Sequence, residues 1–148
     1  VVAKKPDVVT IEFGGNNNDF SNPSRRVGDD EFREHLKRFR SGLPGGCRVI
    51  AVTFPPIKDD WHRVYQGSPT NYVGDVALDS QRRILRDFAN ESKWMIVDLH
   101  ELMINNRDEL LQKDGVHLNP KGQKVFGDAV CEALSKSVSE LARGIDNK

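Results

Sequence analysis

Three short apolar runs rich in β-branched residues recur along the chain: Asp7 to Phe13 (DVVTIEF), Cys47 to Phe54 (CRVIAVTF) and Trp94 to Leu99 (WMIVDL). Such runs, with little alternation, predict strands covered on both faces and therefore a parallel sheet. Helical periodicity fills the intervals. Asp29, Asp30 and Glu31 supply negative charge where a helix N-terminus favours it, and Phe32, Leu36 and Phe39 then repeat at spacings of four and three until SGLPGG ends the helix. A second helix is predicted from Val76 to Glu91, with Ala77, Leu78, Ile84, Leu85 and Phe88 inward and Arg82, Arg83 and Arg86 on its wet face. A short helix follows over about Glu101 to Leu111. The last helix starts after Asn119, whose side-chain oxygen can cap it while Pro120 takes the first helical position, and it carries Val130, Ala133, Leu134, Val138 and Leu141 inward. Strands alternating with helices define an α/β class with helices on both faces of the sheet.

The longest irregular stretch, Pro55 to Asp75, follows the carboxyl end of the second strand. Ligands in open α/β sheets bind at that edge, so residues 55–75 are expected to be a loop on the active-site side of a single domain covering residues 1–148. With 22 basic and 22 acidic side chains in 148 residues the chain has no global field to recruit nucleic acid, and neither that partner nor an anionic membrane surface is expected. No apolar run approaches the ~20 residues of a membrane span. Cys47 and Cys131 are too few for a disulfide framework, and a reducing, cytoplasmic setting suits them.

The unusual residues gather at the predicted carboxyl edge. Gly14 and Gly15 let the backbone approach a ligand and present free N–H groups, and the asparagines that follow add amide donors. Donors that converge beyond a strand end suit an oxyanion, although an Asx-turn closing the strand is the plainer alternative. Asp114 and His117 stand three residues apart in a loop ahead of the last helix. One tight turn can set that carboxylate against one imidazole nitrogen, leaving the other as a general base. His35, His62 and His100 show no metal spacing with this pair, so no metal and no cofactor is expected. GGNNND is not followed by the lysine or the helix of a phosphate-cradling loop.

A strand ending in Gly-x-Asn, with Asp-x-x-His and HLNPKGQ about a hundred residues later, resembles the SGNH/GDSL hydrolase superfamily, nearest its isoamyl-acetate-hydrolysing esterase branch. The third block of that family matches Gly14, Gly15, Asn16 and Asn17, and its fifth matches Asp114, Gly115, Val116 and His117. The resemblance implies a three-layer, flavodoxin-like fold of about five parallel strands. It also implies hydrolysis of short acyl esters through an acyl-enzyme, with His117 as base, Asp114 orienting it and Asn16 as oxyanion donor; the Gly15 N–H beside it is a further oxyanion-hole candidate from its place at the strand end. A register slip would put Asn18, followed by Asp19, in place of Asn16. Trp61 and Tyr65 are candidates for the substrate pocket. The family's Gly-Asp-Ser turn and the block with its oxyanion glycine are absent. Ser80 lies in a helical pattern, Ser21 and Ser24 read as turn formers, and Ser68 is the reserve nucleophile. A sheet lacking its first strands would expose an unpaired edge along DVVTIEF, so an N-terminal segment or a second chain is expected to complete it and to bring the serine. The alternative function is a pseudoenzyme that binds an ester or sugar without turnover.

Overall fold

The computed structural model describes residues 2–17, 24, 26–60 and 74–145. After a short 3-10 turn at Val2–Lys4 come strand β1 (Val8–Glu12), helix α1 (Asp29–Gly42), strand β2 (Arg48–Val52), helix α2 (Asp75–Glu91) and strand β3 (Met95–Val97). Helix α3 (Leu99–Met103), a 3-10 turn (Ile104–Asn106), helix α4 (Arg107–Leu110) and helix α5 (Pro120–Ile145) complete the order. The predicted short helix is thus two pieces joined by a tighter turn. No helix among the described residues is long and apolar enough to cross a membrane.

The strands form a three-stranded parallel sheet in the order β1-β2-β3. Glu12 pairs with Val52 and Val52 with Val97, so the three carboxyl ends finish side by side. Successive side chains point to opposite faces, and each face acquires its own helices. Val9, Ile11, Val49 and Ala51 pack with Phe32 and Leu36 of α1 and with Leu85 and Phe88 of α2. On the other face Ile50, Val52 and Val97 pack with Leu99, Met103 and Leu110, beneath Ala133 of α5. Burial of this kind is worth roughly 1.5–3 kcal/mol per large apolar side chain. The result is helix, sheet, helix: the three-layer, flavodoxin-like arrangement.

Three expectations are corrected. β1 is fully covered on one face and only partly on the other: Val8 packs against the second cluster but Thr10 and Glu12 are exposed, and no strand among the described residues pairs with its outer side. The alternation within VVTIE records this half-burial. Leu134 and Val138 point outward, 40% and 52% exposed, because Ala133 and Ser137 take the sheet-facing positions of α5. Arg82 is not on a wet face; it is 2% exposed.

The start of α5 behaves as its residues dictate. Asn119 Oδ1 accepts the N–H groups of Lys121 (2.9 Å) and Gly122 (3.1 Å), and Pro120 occupies the first turn without a donor to lose.

Candidate active site

The segment between α4 and α5 is closed by an antiparallel bridge between Leu111 and Leu118, reinforced by Gln112 N–H donating to His117 O at 2.7 Å. Inside it the chain reverses at Gly115, whose φ of +72° lies in the left-handed region that glycine adopts without strain. Asp114 then faces back along its own loop. Its Oδ1 accepts the backbone N–H of Val116 at 2.9 Å and of His117 at 3.0 Å, and its Oδ2 lies 2.6 Å from His117 Nδ1. Burial pushes the Asp114 carboxyl upward, but the Val116 N–H, the imidazole and the His117 N–H together hold it below the usual aspartate range. The carboxylate is largely buried, whereas the His117 side chain is 74% exposed. Nδ1 is committed to Asp114, so Nε2 is the nitrogen left to exchange a proton.

The turn after β1 begins at Gly14, with φ +108°, and is closed by Asn17 N–H donating to Gly14 O at 3.1 Å. Two neighbouring asparagines have different fates. Asn17 Nδ2 donates to Gln81 Oε1 at 2.8 Å, and the buried Gln81 donates in turn to Asp29 Oδ1 at 2.7 Å. Asn16 is exposed, and its amide makes no hydrogen bond to any described residue. Asn17 therefore fixes the turn. Gly15 lies against the Phe54 ring so closely that an added Cβ would stand 2.1 Å from its Cε2. Gly15→Ala should accordingly cost about 1–3 kcal/mol of overpacking, read as a lower urea midpoint at unchanged m-value.

Both pieces dock on the segment that leaves β2. Phe54 meets the Gly15 turn, and Lys58 N–H donates to Gly115 O at 2.8 Å, four residues further on. Thr53 anchors the start of that segment: its hydroxyl donates to Asp98 Oδ1 at 2.9 Å, and its N–H donates to Val97 O. Burial raises the Asp98 carboxyl, but Arg86, the Glu101 N–H and Thr53 outweigh it and leave the group below its ordinary value. Gly15, Asn16, Asp114 and His117 are thus tied to one sheet edge through residues 53–58. Asn18, Ser68, Trp61 and Tyr65 lie outside the described residues. No serine hydroxyl among the described residues bonds to His117; Ser80, within α2, donates to Asp29 Oδ1 at 3.0 Å. No group of three or more potential metal-ligating side chains occurs among them either.

Sequence reasoning missed Gln81 and Arg82. Leu78, Arg82 and Leu85 follow a spacing of four then three along α2, which is the spacing of the buried stripe itself.

A parallel α/β sheet with a carboxylate–imidazole pair and an amide-bearing turn at its carboxyl edge has the layout of a hydrolase. The chain belongs to the GDSL-like lipase/acylhydrolase family, whose model matches residues 1–125. It is 28% identical to an acetylxylan esterase of Xylanibacter ruminicola over 90% of this chain and 29% of that protein. It is also 28% identical to the human isoamyl acetate-hydrolyzing esterase 1 homolog, over 92% of this chain and 58% of that protein. Among solved structures, a lipase/acylhydrolase from Enterococcus faecalis superposes with a TM-score of 0.75 at 21% identity, over 94% of this chain and 65% of the other. The chain therefore spans less than two thirds of the length of these relatives.

Proposed function

We propose that this polypeptide carries the base, its orienting acid and two oxyanion donors of a carboxylic ester hydrolase acting on short acyl esters. The observation that carries this reading is the Asp114–His117 pair, in which the carboxylate is fixed by two backbone N–H groups and binds the ring nitrogen at 2.6 Å. Asp114 holds the ring with its proton on Nδ1. His117 Nε2 then takes the proton of an attacking serine hydroxyl, and the new O–C bond forms as the carbonyl π electrons move onto oxygen. The Asn16 amide and the Gly15 N–H would donate to that oxyanion. On collapse His117 returns the proton to the leaving alcohol, and water repeats the cycle to release the acid.

The serine is proposed to reach this edge from polypeptide that adds to the outer side of β1, either an N-terminal segment or a second chain. The outer edge of β1, which pairs with no strand among the described residues, and the share of its relatives that the chain spans support that source. Acetyl is the favoured acyl group, since one named relative is an acetylxylan esterase and the other a homolog of an isoamyl acetate-hydrolyzing esterase.

The test is hydrolysis of p-nitrophenyl acetate by the full-length protein, with fluorophosphonate labelling to locate the nucleophile. Asn16→Ala should lower kcat by about 10²–10³-fold with little change in KM, because the donor acts on charge that develops in the transition state. Loss of activity from Asn18→Ala instead would move the oxyanion role to that residue. Ester binding without turnover or labelling would favour a non-catalytic module.

A further inference from the structure

The segment that carries both halves of the candidate site poses a backbone problem. Pro55 and Pro56 have no N–H and prevent regular pairing, yet residues 55–57 are buried, so their polar groups need partners from side chains. Arg82 supplies them where the segment begins, at the Phe54 and Pro55 carbonyls. Its Nε donates to Phe54 O at 3.0 Å and its Nη2 to Pro55 O at 2.7 Å. The same guanidinium is held by Asp75, through Nη2 to Oδ1 at 2.7 Å and Nη1 to the backbone oxygen at 3.1 Å. Asp75 Oδ1 also accepts the Ile57 N–H at 2.9 Å, and Arg107 Nη1 donates to Ile57 O at 3.3 Å. His100 completes the cluster, its Nε2 lying 3.6 Å from Asp75 Oδ2.

We propose that Arg82, locked by Asp75, is a positioning residue that sets the separation between the Gly14–Asn17 turn and the Asp114–His117 loop. The inference rests on the hydrolase reading above and deepens it. Phe54 seats Gly15, Lys58 N–H binds Gly115 O, and the guanidinium grips the backbone between those two contacts. A planar fork is required here: five donor contacts, to Phe54, Pro55, Asp75 twice and Asp79, leave from one rigid group. Lysine, with a single ammonium, cannot reproduce them.

The experiment compares wild type with Arg82→Lys and Asp75→Asn in the full-length protein, by amide hydrogen exchange and by p-nitrophenyl acetate kinetics. In Arg82→Lys the amides of Ile57 and Lys58 should exchange about tenfold faster relative to those of Ile50 and Ala51 in β2, because the opening is local. kcat should fall by about 10- to 100-fold, the scale of a misplacement near 1 Å, while KM changes by less than about threefold. A uniform rise in exchange across the sheet, or a loss of kcat no larger than the loss of folded protein, would overturn the proposal. Should Arg82→Lys fail to fold, Asp75→Asn, which keeps an oxygen for the Ile57 N–H, is judged by the same two ratios. Absence of turnover in wild type would end the hydrolase reading, and the exchange ratio would still decide whether Arg82 holds the backbone that joins the two loops.

Discussion

Asp114→Asn should lower kcat for ester hydrolysis by about 10⁴-fold while leaving the loop folded. The two oxygens of Asp114 do separate jobs, and asparagine can perform only one of them. Its remaining oxygen can still accept the N–H groups of Val116 and His117, so the turn around Gly115 keeps its closure. Its NH₂ group then faces His117 Nδ1 across the contact that is now 2.6 Å. A donor there favours the tautomer protonated on Nε2, which cannot accept the serine proton. The imidazolium also loses its counter-charge. Kinetics with p-nitrophenyl acetate measure the loss, and near-wild-type activity would remove Asp114 from the mechanism. The same substitution has a signature in stability against pH. The Asp114 carboxyl is held below the usual aspartate range in the folded protein, so its stabilising contribution is complete above that range and is lost as pH falls through the lowered value. In the asparagine variant this component is missing, and the acid limb of its stability curve should be correspondingly flatter.

The parts of the fold that were legible in the sequence are those set by local chemistry. Asn119 and Pro120 announce the start of α5 because cap and first turn are adjacent in the chain. The β-branched core of β2 reads as a strand buried on both faces because it is one, with Val49 and Ala51 in one cluster and Ile50 and Val52 in the other. The pairing of Asp114 with His117 was legible for the same reason: a three-residue separation makes it a property of one loop. Residues whose role depends on a distant partner were not. Asn16 and Asn17 are the same side chain in adjacent positions, and what separates them is Gln81, 64 positions away. The burial of Arg82 answers a demand from the carbonyls of Phe54 and Pro55, 27 or 28 positions earlier, which two prolines create only once that segment enters the core. Charge alone suggested solvent; the spacing with Leu78 and Leu85 pointed the other way. Leu134 and Val138 failed for the opposite reason, since apolar character suggested burial where Ala133 and Ser137 hold the contact.

His117→Ala should have the largest effect of all, a loss in kcat on the order of 10⁶-fold, the scale reached when the base of a serine–histidine site is removed. The structure makes this variant a clean test. The His117 side chain is 74% exposed, so truncation opens no cavity, and the lost bond to Asp114 Oδ2 should cost about 1–3 kcal/mol. Its backbone N–H still reaches Asp114 Oδ1 and its carbonyl still accepts from Gln112, so the loop retains both closures. Asp114 is left with two backbone donors and is not stranded as a bare charge. Activity and folding therefore separate in one protein: urea unfolding should remain cooperative with an unchanged m-value and a modestly lower midpoint, while p-nitrophenyl acetate turnover nearly vanishes. Combining the change with Asp114→Asn should add little, because an orienting carboxylate has no effect once the ring it orients is gone. If the double variant instead multiplies the two losses, the residues act independently and Asp114 does not work through the ring. If the single variant turns over ester at the wild-type rate, the imidazole at this edge is not the base.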